Sequence, residues 1–218
     1  MKVLGQFALL NCMLVIMCCP ALGQTKTGLR VHVAVEGARP MGPTTFIERW
    51  NVGWGLDGSV GLRMPFRKEL EVGIAFGYTQ HGLAQEDLIE ELGLSPSTTE
   101  VDGGALSVVR LALRAKYNFE EGARFQPFVL GEAGIHRTTL DDFTITNTNG
   151  TARDEGVQEL VPSFGFGGGL HLPLTSNLSA LFEATYVVSL STDLFRNRNG
   201  DSDLLYRLPI RLGFAWQW

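Results

Sequence analysis

Apolar and polar residues alternate with a period of two in eight separate runs between residue 29 and the last residue. The last run sets the pattern. From about Leu204, one parity reads Leu208, Ile210, Leu212, Phe214, Trp216, Trp218, and the other reads Pro209, Arg211, Gly213, Ala215, Gln217. Successive side chains of a strand point to opposite faces, so this run predicts a strand with one continuously apolar face and one polar face. Apolar residues towards lipid, polar residues towards a lumen and aromatics at the hydrocarbon boundary are the marks of a membrane β-strand. A soluble sandwich strand with a covering sheet is the competing reading.

The same test predicts seven earlier strands. The first spans about 29–38, with Leu29, Val31, Val33 and Val35 opposite Arg30, His32 and Glu36. The second (about 52–66) sets Trp54, Leu56, Val60, Leu62 and Phe66 against Asp57, Ser59 and Arg63, and the third (about 70–79) sets Val72, Ile74, Phe76 and Tyr78 against Glu71 and three small residues. In the fourth (about 105–119), Val109, Leu111, Leu113 and Tyr117 oppose Arg110, Arg114 and Lys116. The fifth (about 125–138) alternates less cleanly, with Val129, Ala133 and Ile135 outward and Phe128, Leu130, Glu132 and His136 inward. The sixth (about 160–172) points Phe164, Phe166 and Leu170 out and Ser163 and His171 in; the seventh (about 178–190) points Phe182, Tyr186 and Val188 out and Glu183, Thr185 and Ser189 in.

The connections fall into two classes. Those after the second, fourth and sixth strands are short (67–69, 120–124, 173–177), and those after the first, third, fifth and seventh are long (39–51, 80–104, 139–158, 191–203). Alternate connections of an antiparallel meander lie at the same end, so all long loops gather on one side, as in outer-membrane barrels. The predicted fold is all-β, an eight-stranded antiparallel up-and-down transmembrane barrel.

An interior of eight strands is just wide enough for side chains. Many glycines share the polar parity, Gly73, Gly77, Gly165, Gly167 and Gly213 among them, leaving space for long side chains to cross the lumen. The inward charges are Glu36, Asp57, Glu71, Glu132 and Glu183 with Arg63, Arg110, Arg114, Lys116, Arg207 and Arg211. A lumen network pairing them is expected, because unpaired charges there would be costly. A lipocalin-like soluble barrel would put the apolar parity inside instead. Phe66, Tyr117, Phe119, Trp216 and Trp218 fall near the short-turn end, and Trp50, Trp54, Tyr78 and Tyr206 near the long-loop end, as two aromatic belts. Pro162 and Pro209 sit inside strands, where each removes a ladder donor, so a bulge or a wet rim is expected at each.

Ahead of the strands, Lys2 precedes an uncharged apolar run (3–19) and then Pro20-Ala21-Leu22-Gly23. This predicts a signal peptide over 1–23, cleaved after Gly23, and one barrel domain over 24–218. The run is short for a retained membrane helix, and Met17 before Cys18 is too large for a lipoprotein signal. Cleavage removes all three cysteines and leaves 17 Lys+Arg against 23 Asp+Glu, a net charge of −6. That balance excludes nucleic acid as a natural partner, and export without disulfides fits a Gram-negative envelope.

The phrases Pro127-Phe128-Val129-Leu130-Gly131-Glu132-Ala133-Gly134, Phe164-Gly165-Phe166-Gly167-Gly168-Gly169-Leu170 and Leu208-Pro209-Ile210-Arg211-Leu212-Gly213-Phe214 carry a resemblance to the small bacterial outer-membrane barrels of the OmpA and OmpX type. The resemblance implies a place in the cell outer membrane. The implied partners are outer-membrane lipid and, during biogenesis, the barrel-assembly machinery, with Phe214, Trp216 and Trp218 as the assembly signal. A peptidoglycan-binding domain, which full OmpA-type proteins carry, is not expected here.

Catalytic motifs are weak. His32, His81, His136 and His171 are isolated in sequence without metal-ligand spacing, so no metal and no cofactor are expected. Outer-membrane lipid A deacylases and palmitoyl transferases resemble this size of barrel, but they need a nucleophile on the lipid side or rim, whereas Ser163 and His171 share the lumen parity. The expected function is non-enzymatic, in envelope structure or surface interaction through the long loops, where a surface ligand would bind; a lipid-modifying enzyme and a narrow pore are the alternatives. Residues 84–93 predict a short helix ending at Gly93 that covers the mouth, with a lid or partner surface as the functional reading. Residues 197–203 predict a hydrophilic hairpin tip around Asn199-Gly200 rather than a calcium loop.

Overall fold

The computed structural model describes residues 28–119, 124–148, 150–190 and 204–218. Eleven strands and two short helices appear in the order β1 (Leu29–Gly42), α1 (Thr44–Arg49), β2 (Gly53–Met64), β3 (Arg67–His81), α2 (Gln85–Glu91), β4 (Glu100–Gly103), β5 (Leu106–Asn118), β6 (Gln126–Leu140), β7 (Phe143–Asn147), β8 (Gly150–Asp154), β9 (Val157–Pro173), β10 (Leu178–Leu190) and β11 (Leu204–Gln217). Eight of the strands close into a barrel in the order β1-β11-β10-β9-β6-β5-β3-β2. Chain neighbours pair antiparallel all round, and β1 against β11 seals the seam from Arg30↔Gln217 to Gly42↔Tyr206. The remaining three strands, β4-β7-β8, form a separate small sheet.

Each predicted barrel strand is present with its predicted parity, the fifth included: Phe128, Leu130, Glu132 and His136 are buried while Val129 and Ile135 are exposed. Burial is inverted relative to a soluble barrel. Leu56, Ile74, Leu113, Phe164, Phe166, Leu212 and Phe214 stand exposed outside, whereas Arg110, Arg114, Lys116, Glu183 and Arg211 are at most 5 % exposed within. No helix among the described residues is long and apolar enough to cross a membrane; the crossing is by strands, whose closure leaves no backbone edge for hydrocarbon to face.

Two expectations need correction. The turn after β2 is Pro65-Phe66, not 67–69, because Arg67 already pairs with Met64 beyond a register shift at Arg63/Met64. Arg67 to Glu69 are exposed strand residues whose charges reach water. Neither proline makes a bulge; Pro162 instead takes the other expected place, at the long-loop rim. Pro162 pairs with Ile135 in an unshifted ladder, and lies just beyond the last β9–β10 pair, Ser189↔Ser163. Pro209 pairs with Ala38, and the β10–β11 ladder skips from Ala184↔Ile210 to Val187↔Arg207 without losing register. The missing donor is therefore met by a gap in the ladder. The long loops also hold structure that alternation does not signal: β1 continues to Gly42 and leads into α1, and parts of loops 80–104 and 139–158 pair as β4, β7 and β8. The signal segment and the tip around Asn199-Gly200 lie outside the described residues.

Strand coiling depends on inner glycines. A Cβ on Gly73 would stand 2.2 Å from the Val60 carbonyl oxygen, whereas outward-facing Gly131 has nothing within 4 Å. Gly73→Val is thus expected to lower the urea midpoint of the refolded protein by the equivalent of about 1–3 kcal/mol, and Gly131→Val to leave it within about 0.5 kcal/mol. Equal losses would rule out close strand approach at Gly73 as the cause.

Candidate functional site

The lumen is filled by side chains that strand alternation sends inward, and they arrange in three levels. At the short-turn end, Arg30 on β1 donates to Gln217 Oε1 at 2.8 Å and lies 3.3 Å from Glu71 Oε2. His32 Nε2 stands 3.0 Å from Glu71 Oε1, and the His32 and His171 ring centroids are 5.5 Å apart. Lys116 sits over the Phe128 ring at 4.2 Å, a cation–π placement.

The middle level is the densest. Arg211 donates through Nε to Glu36 Oε2 at 2.7 Å and through one terminal nitrogen to Glu183 Oε1 at 2.6 Å and Thr185 Oγ1 at 2.9 Å. Arg110 bridges Asp57 and Glu132. Arg114 reaches Glu132 at 2.9 Å and Glu183 at 3.3 Å. Lys116, 3.8 Å from Glu183, ties this level to the one below. At the long-loop end Arg207 donates to His136 Nδ1 at 3.0 Å, and Ser189 Oγ is 2.9 Å from the same nitrogen.

Desolvating one ion costs several kcal/mol even after relaxation. Here Asp57, Glu71, Glu132 and Glu183 each face two or more cationic or histidine partners, which is what makes their burial tolerable. The void bounded by Glu36, Thr79, Arg110, Arg207, Pro209 and Arg211 has no room for a water molecule. The arrangement is a strut of alternating charge across the barrel.

Above it, α1 folds back over the mouth. Phe46 is fully buried with Trp50, Leu106 and Leu205, its ring edge-on to His81 at 5.6 Å. Trp50 donates Nε1–H to the Gly104 carbonyl at 3.2 Å. Trp50 therefore belongs to this apolar cap and not to the aromatic belt expected for it; Trp54 and Tyr78 do stand exposed on the outer face. The predicted helix is present as α2, and its Leu88 and Ile89 pack with Val101 of β4 and with Phe143 and Ile145 of β7. Asp142, beside this unit, is held below the usual carboxylate range by Arg153 and by the Gly156 N–H.

Ten of the eleven expected lumen charges are brought together or stacked in sequence along the axis. The exception is Arg63, half-buried at the short-turn end where β2 bulges. Arg30, His32, His136, Asn118 and Thr185 belong to the same array but are not among the charges expected to form it; the inward parity is their only signal. The Trp216 and Trp218 rings lie tilted against each other with centroids 5.9 Å apart at the foot of the seam, and Trp218 N–H donates to the Leu29 carbonyl at 3.1 Å; Phe214 faces outward and exposed on the same strand.

No protein-family model and no curated protein matches the chain. Among solved structures it is similar to neisserial surface protein A, NspA, with 13 % identity, a TM-score of 0.56, and 89 % of this chain and 100 % of that one covered. Ail, the attachment invasion locus protein of Yersinia pestis, aligns over 89 % of this chain and 100 % of its own at 11 % identity and a TM-score of 0.49. The N-terminal barrel domain of Pseudomonas aeruginosa OprF covers 84 % and 96 % at 17 % identity and 0.39. The likeness to NspA is one of fold. That fold, together with the apolar exterior, is that of a small eight-stranded outer-membrane β-barrel.

If the charge strut closes the lumen, the refolded protein is silent in planar-bilayer recordings, and so is Phe46→Ala, which uncovers only the mouth. Glu183→Ala leaves Arg114 and Arg211 short of a partner and is expected to cost about 3–5 kcal/mol of unfolding free energy and to admit measurable current. Steady conductance from the unaltered protein would refute the closed lumen.

Proposed function

We propose that this protein is a non-enzymatic outer-membrane barrel that contributes to envelope structure and meets its surroundings through the face built at the long-loop end. The observation that carries this reading is the division of labour in the chain. The barrel interior is occupied by its own paired charges, while the long loops invest in an ordered unit of α2 with β4, β7 and β8 whose last strand is exposed throughout. A filled interior argues against the narrow-pore reading. The lipid-modifying reading lacks a lipid-side nucleophile at the expected pair, since Ser163 and His171 are both buried in the lumen.

On this reading the long loops are extracellular, the short turns are periplasmic, and a surface ligand would meet the α2–β4–β7–β8 unit. The assembly machinery reads the C-terminal strand, a role supported by the exposed Phe214 and Trp216 and by Trp218 at the foot of the seam.

Cysteine labelling on intact cells tests the orientation. Glu90→Cys and Arg153→Cys are expected to react with a membrane-impermeant maleimide, and Lys68→Cys only after the outer membrane is breached; the reverse pattern overturns the topology. Deleting Trp216 to Trp218 is expected to leave the chain unassembled in the periplasm, and normal membrane levels of the deletion would reject the assembly role.

A further inference from the structure

The outer face is not apolar to the same height all round. On β2, β10 and β11, the outward residues nearest the long loops are Trp54, Leu190 and Leu204, all exposed and apolar, and β1 ends on exposed Met41 above a single outward Arg39. On the other four strands the corresponding outward positions are polar and form one row. Gln80 of β3 pairs with Ser107 of β5, Ser107 with Thr139 of β6, and Thr139 with Gln158 of β9. Tyr78 Oη lies 3.4 Å from both Gln80 Oε1 and Ser107 Oγ. At one end of the row Arg137, exposed on the outer face of β6, donates to Gln158 Oε1 at 2.7 Å. Below the row the same strands expose Phe76, Leu111, Ile135, Leu160 and Phe164.

A wall of this kind has the two halves of an amphiphile. The lower half offers acyl chains an apolar surface, and the upper half offers amides, hydroxyls and one oriented guanidinium at the depth where a headgroup sits. Guanidinium binds phosphate through paired, charge-assisted hydrogen bonds, and none of the outward residues of the row is a carboxylate that would oppose an anion. We propose that the β3–β5–β6–β9 wall is a binding site for a phosphorylated glycolipid, with Arg137 on the phosphate and Gln80, Ser107, Thr139 and Gln158 along the sugar. The site rests on the outer-membrane reading and gives it a lipid of stated chemistry. It also separates the wall from Arg39, which is exposed on β1 across the barrel with no such row beside it.

Native mass spectrometry of the refolded protein in neutral detergent tests the site, with bisphosphorylated lipid A as the probe and its dephosphorylated form and inorganic phosphate for comparison. Each variant is first checked for the compact, heat-sensitive form on a gel. The wild type is expected to hold the bisphosphorylated lipid about fivefold more tightly than the dephosphorylated one, the scale of one partly exposed charge contact. Arg137→Gln is expected to erase that preference, Gln158→Leu to reduce it, and Arg39→Gln to keep it. Equal binding of the two lipids by the wild type, an undiminished preference in Arg137→Gln, or full competition by inorganic phosphate would overturn the site. A wild type that never reaches the heat-sensitive form would overturn the outer-membrane reading as well, so the two failures are distinguishable.

Discussion

Everything in this fold follows from placing charge inside a cylinder whose outside is hydrocarbon. Hydrocarbon solvates neither ions nor unpaired peptide groups. The sheet must therefore close on itself, and the ions it encloses must satisfy one another. Arg211 illustrates both demands at once, since its guanidinium spans from Glu36 on one neighbouring strand to Glu183 on the other. Glycine at the inward positions between these ions is the steric counterpart of the same requirement, because the bulk that fills the lumen comes from long side chains rooted elsewhere.

The mouth obeys a different rule. Beyond the level of Arg207 and His136 the interior stops being ionic and becomes an aromatic and aliphatic plug around Phe46. Water at the long-loop end would otherwise reach the upper ions and weaken their attraction by raising the local dielectric. The cap thus completes the environment in which the array below is strong, and its Phe46–His81 contact joins the two regions.

The barrel was legible in the sequence because a period of two is a local property. Each of the runs around Leu111, Phe166 or Leu212 declares its faces without reference to any other part of the chain. The lumen charges were legible for the same reason, although which acid meets which base was not. Arg114 touching Glu183 depends on strand tilt and register across the cylinder, and no single strand records it. The Pro65-Phe66 turn was misplaced because Arg67-Lys68-Glu69 looks like a solvated turn, and a strand end that projects into water has the same composition. Trp50 was assigned to the aromatic belt on its sequence neighbourhood, yet the backbone folds inward at α1 and carries it into the cap. Likewise β4 finds β7 some forty residues on, a pairing of loops that alternation within either one cannot signal.

The seam between β1 and β11 has a consequence for the order of events in folding. Glu36 and Arg211 are separated by 175 positions, so this ion pair is missing from every intermediate in which the first and last strands have not met. Contacts of such sequence separation form late, after the entropy of the whole intervening chain has been restricted. Until then Glu36 at one edge lacks its guanidinium, while Arg211 at the other keeps Glu183 but lacks its second carboxylate, and neither edge can be left in lipid. The charged face therefore has to stay wet until the ends join. The chain must enter the membrane as a nearly complete curved sheet rather than strand by strand, and its last ionic contact forms in the act of becoming a cylinder.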